Sequence, residues 1–549
     1  METIFDFGFY PKIPDATGED EPQFMVVKFD GKERISSLYS FNITVGVENY
    51  GDYHSFINRL LRQRLILGIN YRGYSRSITG IASQVEFVGS VKERIYLKIT
   101  LVPKISILNR NVSSGVYLNK SIPEIIGEVL GSEIKGFGDI IVNMSNLDLS
   151  RYPKLAMLCR YNESTWHFVS RLMERCGIYY YFKFTTVIPG SDEFVLPSPE
   201  ALILSDHKSH ELNADLYSFR VESNSLEDLA VMSSPHMTYG VVASKFVCDG
   251  FDMDRTRVQK IYPQDEKMVT FETDMNRDFN ETSLGQMEFF EGAMESDEAA
   301  FANDLRLEQA KVSSQKFTAD SVCPVLMAGN MISVSGFMGD RVRLLLTEIV
   351  HQGAQASYMI SGLADSNEEN DKSFYRSSVE AIPAEIQFRA EFATPVPKIY
   401  GLIPGIVEGP DSSVFSPYMD ELGRYRIKLP FDKGERMSGS SSCWVKLMTP
   451  YGGNVNTVGM HFPLLKDTQV LIGFVGGNID QPFIAGTIQD GTGSVVNNTR
   501  ITANVIRTPS GNLFLMTDCP EPGGENIAYK NSYGYRSLGV YPEDIMGTL

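Results

Sequence analysis

Few residues in this chain carry the spacing that chemistry needs. His207 and His210 form an HxxH pair, a spacing at which two imidazoles can share a metal ion. No third ligand follows at an obvious interval, and Ser205–Glu211 reads as a loop, so no metal site is expected there. The cysteines Cys159, Cys176, Cys248, Cys323, Cys443 and Cys519 are scattered, with no CxxC. Most lie in apolar runs, which predicts buried free thiols and no disulfide framework. Serine catalysis has no GxSxG signal. Glycoside cleavage needs two carboxyl groups facing each other across a cleft. The chain has 68 acidic residues, but no motif isolates such a pair. The expectation is a protein with no catalytic residue, no cofactor and no metal.

The bulk properties narrow the class further. At 549 residues the chain should hold three or four domains, on a prior of about 150 residues each. An aromatic content of 11% leans toward β-rich packing. The formal charge is 50 − 68 = −18, which argues against sequence-independent nucleic-acid binding, because that needs basic surface to displace counterions. The opening METIFDFGFYPKIP lacks a basic segment followed by a long apolar core. The expectation is folding in the bacterial cytoplasm, with any exit by a route that reads no cleaved signal peptide.

Strand and helix signals alternate along the chain. Phe24–Val47 alternates in the strand manner, with Asp30-Gly31 as the expected hairpin turn. A helix pattern follows at Tyr53–Leu61, then strands at Arg64–Tyr71, Ser75–Val88 and Arg94–Pro103. Asn119–Leu130 is a helix with Ser121 and Glu124 as a capping box and Pro123 in the first turn. Leu216–Met232 and Tyr239–Phe246 read as strands, and Asp274–Ser314 as an acidic, helix-prone stretch with MEFFEGAMESDEAAFANDLRLEQAKVSS as its best part. Gln315–Gly336, Arg341–Val350 and Glu385–Phe392 read as strands before the Pro395-Val396-Pro397 linker.

Met157–Phe182, MLCRYNESTWHFVSRLMERCGIYYYF, packs strand, capped helix and strand into one short unit. Asn162–Thr165 offers capping side chains. Trp166, Val169, Met173 and Cys176 make an apolar stripe with Leu172 beside it, while Arg171, Glu174 and Arg175 fall largely off it. Gly177 is placed to end the helix left-handed, and Ile178–Phe184 is a buried strand. Later, Gly401–Gly491 turns glycine-rich, with about five short β segments, the number of an OB barrel. Val505–Asp518 reads as a hairpin around Ser510-Gly511-Asn512.

The wording of these two blocks resembles the VgrG family, the spike proteins of type VI secretion and related contractile injection machines. The first match is carried by Tyr161, Glu163, Ser164, Trp166, Phe168, Ser170, Arg171, Leu172 and Gly177. The second is carried by Gly423, Arg424, Pro430, Asp432, Trp444, Pro482 and Gly486. Phe431 is followed directly by Asp432, so the tryptophan usual in the family is absent there. The resemblance implies a mainly β fold with interspersed helices: two phage-hub-type small β-barrel domains, an OB-fold barrel, and the start of a trimeric β-helix needle. On that reading residues 1–394 are the hub-like region, 395–491 the OB domain, and 492–549 a connector and needle base. It also implies a homotrimeric, non-enzymatic adaptor. Its partners would be a hexameric Hcp-like tube, a PAAR-like tip protein, effectors, baseplate proteins and, transiently, a target membrane. A hub from a phage or extracellular injection particle would share this wording, and a spike bearing a lytic enzyme is the competing class.

Overall fold

A computed structural model of the chain describes residues 6–11, 24–48, 53–61, 63–91, 94–136, 140–187, 200–207, 218–221, 230–242, 245–249, 286–290, 296–337, 340–355, 373–434, 436–453, 458–489, 491, 502–517, 526–531 and 534–538. His210, Cys519 and Ser494–Arg500 lie outside these residues. The chain divides into two compact units. The first holds residues 1–400, 431–435 and 474–481, and the second holds 401–430, 436–473 and 482–549.

The first unit is built on one continuous sheet. Asp6–Pro11, Arg64–Tyr71, Tyr74–Val91, Arg94–Val102, Ser40–Glu48 and Phe24–Arg34 pair in that order, all antiparallel, as a half-barrel. Phe24–Arg34 then pairs with Asp340–Ala354. That 15-residue strand is also a stave of a closed six-stranded barrel with Met331–Phe337, Ser218–Val221, Val231–Tyr239, Gln315–Ser321 and Phe374–Pro383. The resemblance implied two barrels, and the structure has one closed and one open.

Alternation fills both interiors, because residues two apart share a face of a strand. Phe41, Ile43, Val45, Leu67, Ile69, Leu97 and Ile99 line the half-barrel. Its open side is covered by helices α2 (Ile122–Ile134) and α3 (Thr165–Cys176), which follow the short helix α1 (Tyr53–Leu60) in the chain and bring Ile125, Ile126, Phe168, Val169 and Leu172 into the same core. Burying each such side chain is worth about 1.5–3 kcal/mol. The closed barrel has its own core, including Phe317, Ile332, Val334, Leu344, Leu346 and Val379.

Several expectations needed correction. Asp30-Gly31 is not a turn: the strand runs through it to Arg34, and the chain reverses at Ile35–Tyr39, with Ser36 at φ 58°. Gly31 is needed for a different reason, since a Cβ there would overlap the Phe41 ring. MEFF forms the strand Gln286–Phe290, and helix α4 begins later, at Ser296–Ser314. Gln315–Gly336 splits into two strands around a turn at Pro324–Asn330. Tyr239–Phe246 is not one strand: the first strand ends at Tyr239, with one last in-register bond from the Gly240 amide to the Ser314 carbonyl at 2.8 Å, and a separate strand runs over Lys245–Asp249. Glu385–Phe392 joins no ladder, although it alternates. Phe388 and Arg389 are both buried there, so alternation reports burial on two sides and no paired edge. The strand lies earlier, at Phe374–Pro383, hidden in the sequence by buried polar residues such as Ser377.

In the second unit Ile427–Lys428, Ile403–Val407, Gln469–Phe474, Pro482–Thr487 and Lys446–Leu447 form a five-stranded sheet in that order, the expected OB-type segment. Ala503–Arg507, Leu513–Thr517, Asn526–Asn531 and Gly534–Leu538 form an antiparallel four-stranded meander. Where the resemblance implied a needle base, these strands pair within the chain. The Gly31→Ala variant is expected to lose about 1–3 kcal/mol by overpacking against Phe41, read as a lower urea midpoint. An unchanged midpoint would show that the ring is free to move aside.

Candidate functional site

The motif block folds into a strand, Leu158–Ser164, followed by α3. Ser164 is the N-cap: its hydroxyl accepts the His167 amide at 3.2 Å. Gly177 closes the helix at φ 67°, where a Cβ would meet Leu305 and Arg389. Trp166 packs edge-on against Tyr180 at 5.3 Å and Phe168 stacks on Tyr117 at 5.5 Å. Trp166 is core, as its spacing suggested, and Phe168 is buried with it.

Arg171 is where the sequence reading fell short. Placed largely off the apolar stripe, it is nevertheless 4% exposed. Its Nε donates to Glu163 Oε2 at 2.9 Å and its Nη2 to Glu163 Oε1 at 2.7 Å, a two-pronged buried ion pair. Nη2 also donates to the Cys159 carbonyl at 2.7 Å, and the guanidinium lies over the Phe168 ring at 5.0 Å. On the same strand, the Cys159 amide donates to Asp480 Oδ1 at 2.6 Å, and Arg175 lies 3.5 Å from Asp480 Oδ2. Burial pushes the Asp480 carboxyl up, against the pull of Arg175 and Arg171. Tyr161 packs edge-on against Phe431 at 5.2 Å. Two segments far apart in sequence thus meet inside one unit, around a helix whose Thr165, Arg171, Glu174 and Arg175 all have partners within the fold.

The other block is equally structural. Asp420 accepts the Leu422 and Arg424 amides at 3.0 and 2.8 Å and pairs with Arg424 Nε at 2.7 Å, closing a turn through Gly423. Arg426 lies over the Trp444 ring at 4.1 Å. Asp432 is buried and accepts the Gly434 amide at 3.3 Å. Pro430 is exposed in a turn, and Pro482 opens its strand, where a missing donor costs least. Nothing in the structure requires glycine at 486.

A second buried cluster went unnoticed in the sequence. Arg76 is fully buried and donates to Glu33 Oε1 at 2.5 Å and the Leu326 carbonyl at 2.6 Å. His351 Nε2 lies 2.9 Å from the same Glu33 oxygen, and its Nδ1 meets Tyr375 Oη at 2.8 Å. Burial holds the His351 pKa below its ordinary value, despite Glu33. Alternation could have revealed the cluster, since Arg76 shares a face with Ile78, and His351 with Ile349.

Beside α3 lies a half-open cavity of about 330 Å³, lined by Trp166, His167, Ser170 and Glu174 among others. Both oxygens of Glu174 are taken by Thr394, through its amide at 2.9 Å and its hydroxyl at 2.5 Å. Among the described residues no His, Cys, Asp or Glu group has a metal-holding arrangement, and no helix is long and apolar enough to cross a membrane. His207 is described and exposed, and His210 lies outside the described residues.

The profile of the phage tail baseplate hub family matches residues 32–357, more than half the chain. The chain belongs to that family. Residues 414–488 match the type VI secretion system/phage-baseplate injector OB domain. Among curated relatives, the type VI secretion system spike protein VgrG5 of Pseudomonas aeruginosa is 23% identical over 534 residues, 95% of this chain and 62% of that protein. VgrG4b of the same organism is also 23% identical, over 89% of this chain and 58% of that protein. The hub chain thus spans about six-tenths of the length of these relatives. The Vibrio cholerae actin cross-linking toxin VgrG1 matches at 22% over 71% of this chain but 33% of its own length. An Escherichia coli type VI secretion component, described as structurally similar to the T4 bacteriophage tail proteins gp27 and gp5, superposes with TM-score 0.58 at 19% identity, covering 87% of this chain and 99% of that one. A Francisella PdpA–VgrG complex gives 0.59 at 11% identity, with 98% and 88% covered. The VgrG-type resemblance read from the two blocks therefore holds, and so does the hub-plus-OB fold.

Replacing Glu163 by Gln strands a buried guanidinium and is expected to cost about 3–5 kcal/mol in chemical denaturation. The double change Glu163→Leu with Arg171→Met is expected to recover much of that loss. Equal destabilisation by the single and double variants would mean the pair is not the source.

Proposed function

We propose that this chain is the structural spike subunit of a contractile injection machine. Three copies would join a six-fold inner tube to a puncturing tip and carry effectors with them. The observation that carries this reading is the order of parts in one chain: a baseplate-hub region at 32–357 followed by an injector OB domain at 414–488. Two barrel-type domains per chain give six related surfaces in a trimer, enough to match a six-fold ring, while the C-terminal parts remain three-fold. The OB unit supports self-association: Val414, Leu422 and Met437 are 78%, 72% and 83% exposed, large apolar side chains that a monomer would leave in water.

On this reading the partners are a hexameric Hcp-like tube protein, a PAAR-like tip protein, effectors and baseplate proteins. The subunit folds in the bacterial cytoplasm and leaves with the machine. We take the region present here to act without making or breaking bonds. The named toxin relative supports this, because two-thirds of that protein lies outside the match. Every carboxylate discussed above is also occupied within the fold.

The purified protein is expected to run as a trimer in light scattering at micromolar concentration, and a stable monomer would overturn the adaptor role. Incubated with peptidoglycan, it is expected to release no muropeptides, and release would restore a lytic reading.

A further inference from the structure

One hairpin of the OB-type unit has a build that its own chain does not account for. It leaves the sheet after the strand Lys446–Leu447, where the Met448 amide donates to the Ile484 carbonyl at 2.8 Å. It returns at Leu464, which is buried and whose amide donates to Tyr425 Oη at 3.1 Å. Between these anchors Gly452 bridges Gly459 in an antiparallel pair. The Met460 amide bonds the Tyr451 carbonyl at 3.1 Å, and the Gly453 amide bonds the Val458 carbonyl at 3.2 Å. Every described residue from 448 to 463 is exposed.

Alternation sorts the hairpin into two unlike faces. Tyr451, Val458 and Met460 share one face, and a Cβ added at Gly453 would meet Val458 at 2.9 Å on that side. Phe462 continues the same strand. These four large side chains, Tyr451, Val458, Met460 and Phe462, are 57%, 41%, 40% and 52% exposed, an apolar surface left in water. The opposite face carries Gly452 and Gly459. Neither has a positive φ, so the backbone does not demand glycine at either position. A Cβ at Gly452 would meet nothing within 4 Å, and one at Gly459 would make only ordinary contact with the Tyr451 carbonyl oxygen at 3.4 Å. Glycine inside a strand weakens it, and it suits a place where another chain must come close.

Charge points to the occupant. Residues 447–465 contain no Asp, Glu, Lys or Arg, in a chain that is 21% charged and carries −18. Three copies sum to 3 × −18 = −54, so copies of this chain pack most readily where no like charges are opposed. The hairpin is such a place. On the trimeric reading given above, on which this step rests, we infer that the hairpin is a self-docking arm. The apolar face of one copy's arm covers the glycine face of the next copy's arm, and three arms close a ring. Unlike faces meeting head to tail close under a three-fold rotation, whereas a two-fold would bring like faces together.

The test uses the full chain. Gly452→Val adds a side chain that meets nothing in its own chain but fills the docking face, and Met460→Glu puts a charge on the apolar face. Each is expected to raise the concentration at half-assembly about tenfold in light scattering, with an unchanged far-UV circular dichroism spectrum. Positions 452 and 460 of one arm face opposite ways, so the double variant G452C/M460C cannot bridge within an arm. On mild oxidation it is expected to give disulfide-linked trimers, which neither single variant gives. A wild-type trimer whose Gly452→Val and Met460→Glu variants assemble as tightly, with no such cross-link, would overturn the arm and leave the spike reading intact. A wild-type monomer across the concentration range would overturn both. Weakened assembly without the cross-link would place a different surface against the arm and overturn the ring. Cosedimentation of the wild type, but not Met460→Glu, with phosphatidylcholine vesicles while the cross-link fails would assign the arm to a lipid surface, and would also overturn self-docking.

Discussion

The guanidinium of Arg171 is buried, and the arrangement around α3 follows from the need to satisfy its donors. Glu163 takes two of them, and the Cys159 carbonyl takes another. Both acceptors lie on the strand that precedes the helix, so the turn at Ser164 has little freedom in how it sets α3 on that strand. With α3 so held, Phe168, Val169 and Leu172 point into the half-barrel and cover its open side. A buried ion pair is poor evidence of net stabilisation, but it tolerates few alternative geometries. Here it serves as a register mark for the helix that completes the largest core.

The second constraint is the long strand Asp340–Ala354. It is a stave of the closed barrel and the neighbour of the half-barrel edge, so the two cores are parts of one sheet. Glu33, Arg76 and His351 are inward residues near this junction, drawn from strands on both sides of it. A polar cluster in that position belongs to neither barrel alone. Glu200 and Tyr39 extend it toward the Lys104–Asn109 turn. For a protein proposed to join a tube to a puncturing tip, joints of this kind are where the fold is specified.

Local signals were legible wherever the physics is local. The capping box at Ser121 and Glu124 forms as its spacing required, with the Ser121 amide 2.7 Å from the Glu124 carboxylate. Gly177 ends α3 left-handed, and Arg64–Tyr71 is a strand at the bounds its pattern gave. The failures share a cause. Asp30-Gly31 has the chemistry of a turn, but its glycine answers to a ring from the neighbouring strand. Glu385–Phe392 has the alternation of a strand, but its two faces are buried by different elements and no edge is offered to it. Arg171 has the charge of a surface residue, but a carboxylate eight positions earlier goes inside with it.

By itself, the sequence determined many of the element types, the caps, the OB-like segment and membership of a spike-and-hub family, because propensity, spacing and motif wording are properties of short stretches. Only the tertiary structure decided that one hub barrel closes while the other stays open under two helices. It also decided which charged residues go inside: Arg171 with Glu163, and Arg76 with Glu33. The physical reason is the same in each case. Whether a charge can be buried, or a strand edge paired, depends on what partner the distant chain delivers to it, and no local pattern records that.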